Sequence, residues 1–164
     1  QARRIGVGEV RAEARAAVAK MAGERDPAAA RRMLASVMSA AKEVKPPSAA
    51  AGLWSQVAEA AHSAQEPELL EEALKAGMAA CQALYREDAD ARSPNEAPRE
   101  FWPSTQHFRT LVHVAGEALG EGAEPYLAQI PDPDLQLLAR IELARAWMGK
   151  PRVVTAIVVS RSKR

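Results

Sequence analysis

The side chains able to do chemistry are few in this chain. Its histidines are His62, His107 and His113, and its single cysteine is Cys81. A cysteine nucleophile needs a neighbouring base to draw off its proton, and the two meet in space rather than in sequence. Cys81, however, falls on an apolar stripe (Leu69, Leu70, Ala73, Leu74, Gly77, Met78, Cys81, Leu84, Tyr85) at helical spacing. That setting predicts a buried structural thiol. His107 and His113 are six residues apart on one predicted helix, which turns them to different faces. No His-Glu-x-x-His or Cys-x-x-Cys motif and no pair of Glu-x-x-His motifs joins the histidines, so no metal site is expected. A lone cysteine also excludes an intramolecular disulfide. The carboxylate pairs Glu71-Glu72 and Glu87-Asp88 lie among lysine and arginine and read as solvated helix surface. Asp88 and Asp90 are oxygen donors of the kind calcium takes, but the loop spacing and glycine of a calcium-binding hand are missing. Gly116, Gly120 and Gly122 are expected at a helix end rather than in a phosphate-cradling loop. These residues predict no catalytic, cofactor-binding or metal site.

The elements that would position any site are helices. The chain has 164 residues, 48% of them hydrophobic but only 4% aromatic. Alanine supplies much of the apolar count, so the expected core is thin and shared among many close helix contacts. Apolar residues recur at helical spacing over 9–22, 28–44, 49–63, from Pro67 through Tyr85, over 104–119 and over 133–148. A short piece at Tyr126–Ile130 precedes the last of these. Three starts share an acid followed by proline: Asp26-Pro27, Glu66-Pro67 and Asp132-Pro133. An acid at the cap position accepts a backbone N–H, and proline at the first helical position loses nothing by lacking one. Ser48 is the expected cap of the helix over 49–63. The last helix carries Leu135, Leu138, Ala139, Leu143 and Trp147 on one side and Leu137, Ile141, Ala144 and Met148 on an adjoining one. Such breadth predicts cover from more than one direction.

Two segments depart from this pattern. Residues 86–103 are polar, contain Pro94 and Pro98, and close on Phe101-Trp102-Pro103. Connections of this length are uncommon in compact domains and are often functional or disordered. The adjoining aromatics fit either a staple holding the loop to the next helix or an anchor for a partner. The tail, residues 151–164, is basic and carries Val153-Val154-Thr155-Ala156-Ile157-Val158-Val159, a β-branched run that reads as extended. It fits a fold-back over the last helix or addition to another protein's sheet edge, the second being preferred. Residues 1–8 are an N-terminal extension, and 9–150 are the helical domain.

The segment Arg11–Leu34 (RAEARAAVAKMAGERDPAAARRML) and, less closely, the segment from Asp132 (DPDLQLLARIELARAWMGKP) share a cadence: alanine-rich helix, Asp-Pro, amphipathic helix. On these residues the chain resembles bacterial helical-repeat proteins of the α-solenoid kind, tetratricopeptide-like or HEAT-like. The resemblance implies an all-α fold of antiparallel helix pairs in a short right-handed solenoid; an irregular helical bundle is the alternative. It further implies a surface that binds other proteins. The function expected is therefore a non-enzymatic interaction or scaffold module, on its own or as a subunit or fragment of a larger assembly, with no cofactor. Its partner would be another protein or a second copy, engaged through the helical surface, the 86–103 loop or the tail. Candidate contact residues are Phe101, Trp102, Val154, Ile157, Val159 and Arg161.

Two other classes stay open: a helical enzyme in which Cys81, a histidine and loop carboxylates converge, and a HEAT-like nucleic-acid-binding protein. The second is disfavoured by a net charge of +1, because nucleic-acid-binding domains carry a clustered basic excess. The excess here sits at the ends, at Arg3, Arg4, Arg152, Arg161, Lys163 and Arg164. No run approaches the roughly 18 apolar residues of a membrane span. A cytoplasmic protein is the default, and an exported one stays open, since the chain begins at Gln1 rather than Met.

Overall fold

The computed structural model describes residues 26–91 and 98–151. The extension 1–8, the helix expected over 9–22, and the tail residues Val154, Ile157, Val159 and Arg161 lie outside the described residues. Within them the protein is all-helical. Five long helices pack against one another: α1 (Pro27–Ala41), α2 (Pro47–Ser63), α3 (Pro67–Ala91), α4 (Pro103–Leu119) and α5 (Pro133–Trp147). Single turns at Arg99–Phe101, Gly120–Ala123 and Glu124–Leu127 link them.

Each long helix opens on a proline, whose fixed φ suits the first helical position and whose missing N–H is not needed there. Asp26 and Asp132 cap as the sequence predicts. Asp26 accepts the Ala29 N–H at 2.9 Å, and Asp132 accepts those of Asp134 and Leu135 at 2.9 and 3.3 Å. Glu66 instead reaches Arg31 at 3.2 Å and ties α3 to α1. Ser48 is not the cap expected of it, because α2 starts two residues earlier than expected, at Pro47. Pro47 holds Pro46 extended at ψ 122°, and Ser48 falls inside the first turn.

Cross-helix pairs give the directions. Ser55 faces His107 and His62 faces Glu117, so numbers rise together and α2 and α4 are parallel. Gly116 meets Leu143 and Ala146, and Arg109 meets Glu142, so α5 runs the same way. Between α2 and α4, α3 runs oppositely: its Gly77 meets Trp54 and Leu111, while Asp88 near its end reaches Ser104 at the start of α4. Arg31 pairs with Glu66 and Glu68, and Lys42 with Glu72, which sets α1 alongside α3. The result is two layers, α1 and α3 against α2, α4 and α5. Residues 126–132 extend the first layer along α3, where Gln82 donates to the Gln129 carbonyl at 2.8 Å and Tyr85 donates to Asp132 at 3.2 Å.

The core runs between the layers and is built as the composition implies. Leu34, Val37, Leu53, Val57, Leu74, Met78, Cys81, Phe108, Leu111, Ile130 and Leu135 are buried, together with many alanines. Gly116 sits in the last turn of α4, at the helix end where the sequence put it, and it has a second role. An added Cβ there would stand 2.7 Å from a Leu143 methyl and 2.9 Å from the Ala146 Cβ. Gly116 lets α4 and α5 approach closely.

The 86–103 connection is shorter than expected. Helix α3 continues to Ala91, and Arg99–Phe101 form a turn. Asp88 is the physical reason. It is buried, not solvated, and its carboxylate accepts the Ser104 N–H at 3.1 Å, so the last turns of α3 cap the first turn of α4.

Candidate functional site

Two features stand apart from ordinary core packing. The first is a chain of ionisable groups crossing three helices. At its inner end Glu142, wholly buried on α5, pairs with Arg109 of α4. Its Oε2 lies 3.7 Å from both His113 Nδ1 and Arg145 Nε. Among the described residues, that oxygen has no hydrogen-bond partner. His113, also buried, sets Nδ1 3.3 Å from the Glu142 carbonyl oxygen and Nε2 3.3 Å from Glu117. The other Glu117 oxygen lies 3.7 Å from His62 of α2. Both nitrogens of His113 thus face acceptors, and a neutral ring can donate to only one of them.

His62, His113 and Glu117, with Glu59, Ser63, Thr110 and Val114, line a cleft of about 150 Å³ between α2 and α4. A larger groove of about 490 Å³ adjoins it across His62, Ser63 and Glu117. The hydroxyls in the cleft are turned onto their own helices: Ser63 donates to Glu59 O at 2.9 Å and Thr110 to Gln106 O at 2.8 Å. Ser55 likewise donates to Ala51 O at 2.8 Å, although its oxygen lies 3.3 Å from His107 Nδ1. In each, the proton a base would remove is held by a backbone carbonyl. The Cys81 thiol is fully buried, and desolvation pushes its pKa far up. As the sequence spacing required, His107 faces α2 while His113 faces α5.

The second feature is the outer face of α5. Leu137 is 61% exposed, Ile141 51%, Trp147 49% and Met148 58%. Leu137, Ile141, Ala144 and Met148 form one stripe at i, i+4, i+7 and i+11, opposite the buried row of Leu135, Ala139, Leu143 and Ala146. Trp147 borders the stripe instead of joining the buried row where the sequence reading put it. Among the described residues α5 is covered from one direction only. Arg140 and Arg145 flank the stripe, and Lys150 follows it.

The candidate aromatics separate. Trp102 is buried, its ring 5.6 Å from that of Tyr85, with the Arg99 guanidinium 5.9 Å away. Arg99 also pairs with Asp132. Burial pushes the Asp132 pKa up, but the Leu135 and Asp134 N–H groups, the Tyr85 hydroxyl and Arg99 outweigh it, so the net direction is down. Tyr85 moves up, through burial and then the nearby Asp132 charge. Trp102 thereby staples the start of α4 to α3 and α5, while Phe101 is left 42% exposed. Val154, Ile157, Val159 and Arg161 are not among the described residues.

Several of the described cations are matched: Arg31, Lys42, Lys75, Arg99, Arg109 and Arg145 each face a carboxylate. No group of three or more His, Cys, Asp or Glu among the described residues is placed to hold a metal ion. No described helix is long and apolar enough to cross a membrane. Comparison with known proteins gives no matching family model, no matching curated protein and no matching solved structure.

Sequence reasoning missed Glu142 and its partners. One signal was available: Glu142 lies seven residues after Leu135 and three after Ala139, squarely on the buried row. The spacings Glu59-x-x-His62 and His113-x-x-x-Glu117 also place each acid beside its histidine on one helix face.

Proposed function

We propose that this chain is a non-enzymatic interaction module whose α5 end receives an amphipathic helix from another protein. The observation that carries the reading is the two-sidedness of α5: one apolar face is packed against α4, and the opposite one is open. In a stacked helical array each unit buries its face against the next. An open apolar face on α5 favours a further protein element. The cations Arg140, beside the stripe, and Lys150, past its end, favour acidic residues in the incoming helix. A second copy of this chain suits the stripe less well, since it would bring these same cations together.

The test is fluorescence anisotropy with a labelled helical peptide of about 16 residues, leucine at i, i+4, i+7 and i+11 and glutamate on both flanks. Micromolar binding is expected, tenfold weaker or worse with Ile141→Asp, and weaker when lysine replaces the flanking glutamates. Absence of binding, or equal binding by Ile141→Asp, overturns the reading.

A further inference from the structure

The cleft between α2 and α4 is rich in hydrogen-bond acceptors and poor in donors. No lysine or arginine lines it or the groove beside it. Of the groove's two carboxylates, Glu66 is paired with Arg31 at 3.2 Å. Glu117, 37% exposed, faces only His62 and His113 among the described residues. His62 Nε2, at 3.7 Å, is beyond hydrogen-bond reach of it. Ser63 and Thr110 each donate their one hydroxyl proton to a backbone carbonyl of their own helix, so neither presents a proton to the cleft.

His113 points to a ligand independently. It is only 5% exposed, and its Nδ1 lies 3.3 Å from the Glu142 carbonyl oxygen. A carbonyl can only accept, so in the neutral ring this bond puts the proton on Nδ1 and leaves a lone pair on Nε2. That lone pair stands 3.3 Å from a Glu117 oxygen, a second acceptor. Both residues line the cleft, and the two acceptors need a donor from outside. Among the described residues no three such groups converge on one point as a metal ion requires. The partner they suit carries a positive charge and several donors spread over a plane. A guanidinium has five N–H donors in a rigid fork, no acceptor and a permanent charge.

We propose that this cleft seats an arginine side chain of a partner polypeptide, its guanidinium donating to Glu117 and to His113 Nε2. The aliphatic stem and an apolar neighbour in the partner lie in the adjoining groove, over Leu70, Ala118 and Leu119. The cleft, about 150 Å³, is smaller than the roughly 300–1,000 Å³ pockets that enclose whole small molecules. Its continuation into a groove of about 490 Å³ suits a side chain that arrives on a polypeptide. No residue of α5 lines either cavity, so the site is separate from the α5 stripe and does not rest on the reading above.

The probe is acetyl-leucyl-arginine amide, titrated into the full chain and followed by NMR at the ring signals of His62 and His113. A Kd of about 1 mM is expected, with the ring signals shifting as the site fills. The citrulline analogue keeps the shape of arginine without its charge and binds about tenfold weaker or worse. Glu117→Gln weakens the arginine probe by a similar factor, and its circular-dichroism melt shows that it is folded. The citrulline comparison uses the unaltered chain and decides the matter even if that variant does not fold. Free arginine, which lacks the apolar neighbour, binds about threefold weaker or worse. Ile141→Asp leaves the affinity unchanged. Absence of binding, or equal binding by the citrulline analogue or by folded Glu117→Gln, overturns the site. Equal binding by free arginine overturns the assignment to a polypeptide. A loss with Ile141→Asp places the probe on α5 and overturns the cleft as its seat.

Discussion

The pairing of Arg109 with Glu142 permits the most demanding test of how the helices are held together. Glu142 is completely buried and the Arg109 side chain is 12% exposed. Removing one partner of such a pair leaves an uncompensated charge in the interior, at a cost of about 3–5 kcal/mol. In Arg109→Met the stranded carboxylate still has His113 and Arg145 nitrogens at 3.7 Å, which places the loss at the lower end, about 3 kcal/mol. For a chain of this length that corresponds to a fall in Tm of roughly 6–12 °C. The double variant Arg109→Met with Glu142→Leu removes both charges and keeps the volume, so it recovers at least half of the loss, because an apolar pair of similar size is often neutral or stabilising. Urea unfolding followed by circular dichroism on the four proteins of the cycle gives the coupling directly. Two results refute the reasoning: a single variant within about 0.5 kcal/mol of wild type, which is the range of ordinary surface changes, or a double variant that loses the sum of the two singles.

Asp132 gives a pH prediction. Its folded pKa is lowered, so the stability it contributes is fully present above the ordinary carboxylate value near 4 and is lost as pH falls through the lowered value. Asp132→Asn should be less stable than wild type at neutral pH, with the gap closing in acid; a gap constant from pH 7 to 2.5 contradicts the assignment. The aromatic pair should divide in unfolding measurements. Trp102→Ala, at a buried ring, costs about 3–5 kcal/mol, whereas Phe101→Ala stays within about 1 kcal/mol, and similar losses at both would show that the staple is misassigned.

The helices were legible because their signals are local. Alternating stripes, acid-Pro starts and closing glycines each depend on a few neighbouring residues, and the positions of Asp26, Asp132 and Cys81 follow from them. What stayed hidden depends on groups brought together across helices. Asp88 reads as surface in a run of acids until α4 is laid beside it, when the Ser104 N–H makes it a cap. Glu142 reads as one more charge among Arg140, Glu142 and Arg145 until α4 contributes Arg109 and His113. Trp102 offers the same lesson in reverse. Its sequence setting fits a partner anchor as well as a staple, and only the arrival of Tyr85 and Arg99 settles its ring inside.

The same logic bears on the breadth of α5. From sequence, two adjoining apolar rows predict cover from two directions, and the described residues supply one. The buried row needs Gly116 and the Arg109–Glu142 pair to bring α4 close, so the orientation of α5 about its own axis is strongly fixed. A helix held by an ion pair on its inner face cannot roll to hide Leu137 and Ile141 without breaking that pair. The open stripe is therefore a consequence of how α5 is anchored. Any cover for it has to come from outside the described helices.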